Sequence, residues 1–214
     1  MEQTDIWSIN PSTSATFFKT AATVTGGAYP QALVFTNTNP VVAKEGAGYK
    51  VIITSGGDDR TANFTINGAI VGQLTEQGQV PNPNNPEVLA GGNAGAVTST
   101  YFYSRIDSIT ISKAAAGTVA VGTTGDLALP RCRIKGFYVL GDAGAGSLKI
   151  NRFTYTTSAY PTVAVESLLD ITTPAGATLT QFLSLPGQGI LTGQQHNDFA
   201  VVTLDGADYS LFCG

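Results

Sequence analysis

Residues 105–122, RIDSITISKAAAGTVAVG, decide the fold class. Ile106, Ile109 and Ile111 lie among Ser108, Thr110 and Ser112, which take the opposite face, and Val119 and Val121 resume the repeat after KAAAG. A period of two marks a half-buried strand, because successive side chains of an extended chain point to opposite faces. The spacing predicts a β-hairpin over residues 105–123 that turns at KAAAG.

The same period recurs outward from this stretch. Tyr49, Val51 and Ile53 alternate with mostly polar neighbours, as do Phe64 and Ile66. Gly26-Gly27, Gly46-Ala47-Gly48 and Gly56-Gly57-Asp58-Asp59 punctuate the first half as turns do in a sandwich or barrel meander. A second series of strands is expected at 132–140, 148–157, 163–171, 179–185, 200–204 and 209–213, joined by GDAGAG, TTPAGA, PGQG and DGAD. No segment has convincing helical periodicity. Residues 122–130, GTTGDLALP, carry glycines and a proline without alternation and mark the expected domain boundary.

The expected architecture is all-β, with two small antiparallel β-sandwich domains in tandem, Ig-like or jelly-roll-like. An N-terminal arm covers 1–14, the first domain 15–124, a linker 125–131 and the second domain 132–214. Within the first domain, residues 78–96 (GQVPNPNNPEVLAGGNAGA) hold three prolines and four asparagines and no apolar pattern. They cannot sit inside a central sheet and read as a long loop or arm.

Composition excludes several functions. Of 214 residues, 43% are apolar and 12% charged, the reverse of the balance that keeps a chain disordered. Lys and Arg total 11 without clustering and the net charge is −4 at a pI near 4.8, so no nucleic-acid partner is expected. There is no apolar run long enough to span a bilayer and no basic, apolar leader at the start, so a soluble product of the cytosol with no membrane partner is expected. Cys132 and Cys213, the only cysteines, read as buried thiols; a bridge requires the strands that carry them to be neighbours.

No catalytic or cofactor-binding constellation emerges. His196 is the single histidine, in the polar segment GQQHNDF, and no G-x-S-x-G elbow accompanies it. Asp58-Asp59 and Asp205 with Asp208 have the oxygen chemistry of a cation site but read as solvated turn residues. Gly144-Ala145-Gly146 and Gly187-Gln188-Gly189 complete no phosphate-binding motif and are turns. Cofactors and metals are therefore expected to be absent, and the chain is expected to be no enzyme.

The candidate residues are interface residues. Trp7, with Ile6 and Ile9, lies in a polar N-terminal stretch and must bury its ring on its own or an adjacent subunit. Pro81, Pro83 and Pro86 belong to the long loop, a segment suited to ordering against a neighbouring subunit. In the run Tyr101-Phe102-Tyr103, alternation sends Phe102 to the core and leaves Tyr101 and Tyr103 facing outward, unless both sheet faces are covered.

At YKVIITSGGDDRTANFTING (49–68) and NAGAVTSTYFYSRIDSITISKAAAGTVAVGTTG (93–125), the first half resembles a family of small virion proteins of tailed bacteriophages. Ser55 to Asp59, Phe64 to Gly68, Thr75-Glu76, Asn93 to Gly95 and Val121 to Thr123 match that family's turns and strands in order. The second half, from CRIKGFYVL (132–140) through 173–191 to YSLFCG (209–214), similarly resembles another short phage module. The sequence VPNPNNPEV (80–88) departs from the family pattern. The resemblance implies Ig-like or sandwich modules, no catalytic residue, and a place in a virion after synthesis in the host bacterial cytoplasm. It also implies partners: the major capsid protein for a decoration or cement protein, or neck and tail proteins for a collar or fibre-attachment element. In either case a homo-oligomer is expected. A host-surface carbohydrate-binding module, stacking glycans on Tyr101, Tyr103 or Tyr160, is the reading from another class.

Overall fold

The computed structural model describes residues 5–9, 14–35, 47–71, 74–75, 78–79, 86–130, 132–140, 146–154, 164–173, 181–184, 189–192, 198–205 and 208–213. These residues form strands and connections without a helix. The strands of the first half are β1 (Asp5–Ile9), β2 (Ser14–Thr23), β3 (Gln31–Ala32), β4 (Gly48–Ser55), β5 (Asn63–Ile70), β6 (Leu74–Thr75), β7 (Gly78–Gln79), β8 (Glu87–Ala90), β9 (Ala96–Ile111) and β10 (Thr118–Leu129). Those of the second half are β11 (Arg133–Leu140), β12 (Gly146–Thr154), β13 (Glu166–Thr173), β14 (Gln181–Ser184), β15 (Ile190–Leu191), β16 (Asp198–Asp205) and β17 (Asp208–Cys213).

All pairings are antiparallel. One sheet runs β1-β17-β11-β14 with β15 also on β11. The larger sheet runs β13-β12-β16-β10-β4-β9-β5-β8, with β2 on β10 and β3 on β9. Strands β6 and β7 pair with each other.

Alternation builds the first core. Val51 and Ile53 of β4, Phe64 and Ile66 of β5, Ile109 and Ile111 of β9 and Val119 and Val121 of β10 are buried together. Strand β9, 16 residues long, pairs with β4 from Ala96 to Tyr103 and with β5 from Tyr103 to Ile111. Gly68 sits at a register shift in the β5–β9 ladder, where a Cβ would meet the Arg105 carbonyl oxygen, so only glycine allows this approach.

A second core gathers Leu127 and Leu129 of β10, Ile134 and Phe137 of β11, Leu148 and Ile150 of β12, Ala200 and Val202 of β16, and Leu211 of β17. Where Leu127–Leu129 pairs with β16, alternate residues serve different cores. Leu127 and Leu129 lie opposite Val202 and Ala200 in the second core, whereas Ala128 lies opposite Val201 in the first. Phe199, next along β16, also belongs to the first core. The two cores are thus joined through shared strands.

This arrangement corrects the linker expected over 125–131, because β10 runs through Leu129 and pairs there with both β4 and β16. The absence of alternation in GTTGDLALP has two causes. Leu127, Ala128 and Leu129 are all buried, as in a strand covered on both faces. The β4 register also shifts between Thr123 and Leu127, so Thr124, Gly125 and Asp126 form an irregularity rather than a boundary. Within the arm expected at 1–14, residues 5–9 form β1 and pair with β17 of the same chain.

The hairpin over 105–123 is a second correction. Both strands exist, but β4 lies between β9 and β10. The connection KAAAG arches over the end of β4, with the Ala116 N–H donating to Asp59 Oδ1 at 2.7 Å and the Ala115 N–H to the Val24 carbonyl at 3.2 Å. Strand periodicity gives the faces of a strand and leaves its neighbour open. The loop expected over 78–96 is corrected at residues 78–79, 87–90 and 96, where β7 pairs with β6, β8 with β5, and Ala96 begins β9, whereas Gly91–Gly95 form a connection as expected. Residues 80–85 lie outside the described residues.

Candidate interaction surface

Glycine-rich turns meet at the end of β4. The Gly56 N–H donates to the Thr118 carbonyl at 2.7 Å, the Asp59 N–H to the Gly92 carbonyl at 2.9 Å, and the Ala94 N–H to the Gly57 carbonyl at 2.8 Å. Asp59 is 2% exposed and ties the KAAAG arch to this junction through Oδ1. Asp58 bridges Asn93 within this junction through its backbone, but its side chain is exposed and held bidentately by Arg60, with Nε to Oδ1 at 2.9 Å and Nη2 to Oδ2 at 2.8 Å. The Arg60 side-chain hydrogen bonds, helped by its backbone N–H, lower the Asp58 carboxyl from its usual 3.8 to about 2. The two adjacent acids therefore serve different structural tasks. Among the described residues no three His, Cys, Asp or Glu side chains gather as metal ligands would.

A second polar node lies where β9 leaves β4. The register between these strands shifts from Lys50↔Phe102 to Ile52↔Thr98, so the Val51 N–H has no ladder partner. The buried Ser99 hydroxyl takes that place, accepting from the Val51 N–H at 2.8 Å and donating to the Tyr101 carbonyl at 2.8 Å. Beside it, the buried Glu87 of β8 accepts the Thr100 N–H at 2.6 Å on Oε1 and the Tyr103 hydroxyl at 2.9 Å on Oε2. The acid at the start of β8 is consumed inside the fold.

The parity of β8 follows from two hydrogen bonds. Gly91 N–H donates to the Ala62 carbonyl at 2.9 Å, which in the register Asn63↔Ala90 turns the backbone groups of Glu87 and Leu89 toward β5. Ser112 N–H donates to the Asn63 carbonyl at 3.0 Å, which turns Asn63 and Thr65 toward β9 and agrees with that assignment. The N–H and C=O groups of Val88 and Ala90 therefore point away from the sheet. Among the described residues no strand pairs on that side. Val88 is 57% exposed, and Pro86 and Ala90 are also exposed.

Of the sequence-derived interface candidates, Pro86 is exposed at the head of this edge. Trp7 and Ile9 lie on β1, in register with Leu211 and Tyr209 of β17. Pro81 and Pro83 lie outside the described residues, as do Tyr160 and His196. Tyr101 and Tyr103 are a correction: they are 7% and 2% exposed, with rings packed edge to face at 6.4 Å. Alternation holds, with Tyr101 and Tyr103 together on one face and Phe102 against Phe199 on the other, but both faces are covered, so all three aromatics are buried. The Thr192 hydroxyl lies 3.7 Å from Cys132 Sγ, and β11 and β17 are neighbours, with Cys213 opposite Ile134.

Sequence reasoning missed Ser99, Glu87 and the β8 edge. The alternation of Glu87, Val88, Leu89 and Ala90 is a strand signal of four residues, masked by the prolines before it and the glycines after it. Comparison with family models, with curated proteins and with solved structures finds no match to this chain.

Proposed function

We propose that this chain is a non-enzymatic structural component of a tailed-bacteriophage virion, a capsid decoration or cement protein that stabilises the shell through subunit contacts. In this reading its antiparallel sheets fold over one another as β-sandwich layers, and its partners are further copies of itself and the major capsid protein. The observation that carries it is the β8 edge, whose exposed residues Val88 and Ala90 are neutral and turn their backbone groups outward, while Glu87 is turned inward onto Thr100 and Tyr103. Such an edge is a liability on a free monomer and an asset in an assembly. The motifs that resemble those of small phage virion proteins, from Ser55 to Asp59 and from Phe64 to Gly68, build the turn junction and the strand beside this edge. Contacts near about 800 Å² per partner become long-lived when repeated around a closed shell.

A neck, collar or tail position uses the same surfaces with far fewer copies. The glycan-binding reading loses two of its three platforms, since Tyr101 and Tyr103 are buried. Quantitative mass spectrometry of the intact particle tests the proposal. Copies on the order of hundreds per particle are expected for decoration; a single ring's worth would move the protein to the neck or tail, and its absence from particles would end the reading.

A further inference from the structure

We propose that β8 is a self-pairing edge: Glu87–Ala90 of one copy pairs antiparallel with the same strand of a second copy across a two-fold axis at Leu89. The inference deepens the assembly reading by naming the edge, and the two fail separately, since particle counting tests one and solution association the other.

The match is geometric. With Leu89 opposite Leu89 of the second copy, Val88 falls opposite Ala90, and these are the two residues whose N–H and C=O groups point outward. In an antiparallel ladder, residues opposite each other in a hydrogen-bonded pair exchange both bonds. Each outward group of Val88 and Ala90 therefore finds a partner, and the axis relates the two Val88–Ala90 pairs. A centre on Val88 would set Ala90 against Pro86, which has no N–H, and a centre on Ala90 would set Val88 against Gly92, beyond the strand and with its carbonyl bonded to the Asp59 N–H, so each satisfies fewer outward groups.

Charge favours the same occupant. Edge strands are normally guarded by charges, prolines or irregularities that prevent pairing. β13, the other end of the sheet, carries Glu166 and Asp170, which reach to Arg152 at 2.8 Å and Lys149 at 3.6 Å on β12. β2 meets β10 through two register shifts. β8 has neither guard over Val88 to Ala90, because its one charged residue, Glu87, is turned inward onto Thr100 and Tyr103. A neutral edge meets itself without repulsion. Pro86 and Gly91 bound the paired length, so the contact falls well below the standard of about 800 Å² per partner and the dimer is readily dissociable.

The test is sedimentation velocity of the full chain over a wide concentration range, for the native protein and three variants. Val88→Pro removes only an outward N–H, and Val88→Lys places a charge at an exposed position; both should keep the native circular dichroism. The native chain should move from monomer toward dimer as concentration rises, and each Val88 variant should weaken association by at least about tenfold. Asp170→Asn on β13 should leave it unchanged. A native chain that stays monomeric throughout overturns the proposal. So does undiminished association in folded Val88→Lys, or a loss in Asp170→Asn as large as that at Val88.

Discussion

The Val51 N–H donates to Ser99 Oγ at 2.8 Å across the irregularity between β4 and β9, where a backbone carbonyl would normally stand. One hydroxyl therefore replaces a rung of the ladder and, by donating to Tyr101, satisfies a second backbone group. Ser99→Ala leaves both buried groups without this partner and should cost about 1–3 kcal/mol. Urea denaturation with an unchanged slope and a lowered midpoint is the expected result; an unchanged midpoint would show that water reaches the site.

Glu87 makes a sharper case because two replacements should differ. Glu87→Leu removes the acceptor for Thr100 N–H and Tyr103 hydroxyl and should destabilise by about 1–3 kcal/mol. Glu87→Gln can keep the Thr100 bond on its amide oxygen and donate from its amide nitrogen to the Tyr103 oxygen, so it should retain most of the stability. Equal losses in the two variants, by thermal or urea unfolding, would contradict this role.

These nodes mark the limit of what was legible in the sequence. Period-two runs such as Val51 and Ile53 or Phe64 and Ile66 identify strands because burial on one face imposes them. Partner choice is set by contacts distant in sequence, such as Asp59 with Ala116, and the β4 insertion between β9 and β10 leaves no local trace. Two-sided burial hides a strand in the same way, as at Leu127 to Leu129. The β8 edge reads as loop because prolines dominate its approach, while the direction of its backbone groups follows from a hydrogen-bond parity that only the register supplies.

Asp58 should titrate near 2 rather than its usual 3.8, because Arg60 bonds its charged form. The sign is fixed: a carboxyl depressed in the folded state contributes its stabilisation above the unfolded value and loses it as pH falls through the folded one. The pair's small contribution is thus complete above about pH 4 and lost toward pH 2. Carbon-detected NMR titration of the Asp58 carboxyl checks this, and Arg60→Gln should return the midpoint toward 3.8.

Gly91 lies where the turn after β8 crosses Asp59, and a Cβ there would meet the Asp59 carbonyl oxygen. The obstacle is backbone and cannot rotate away. Gly91→Ala should therefore cost about 1–3 kcal/mol and weaken the junction with the KAAAG arch. Loss of amide-exchange protection at Asp59 and Ala116 is the expected signature.

A chain of residues 1–131 made alone isolates the question of shared strands. It would lack Phe199 and Val201 from the first core and leave Leu127 and Leu129 without β16, each lost apolar side chain being worth about 1.5–3 kcal/mol. Its amide-exchange protection across β4 and β10 should fall far below that of the intact chain. Protection in the fragment equal to that of the full protein would show that the two halves fold independently and that the shared strands are not what joins them.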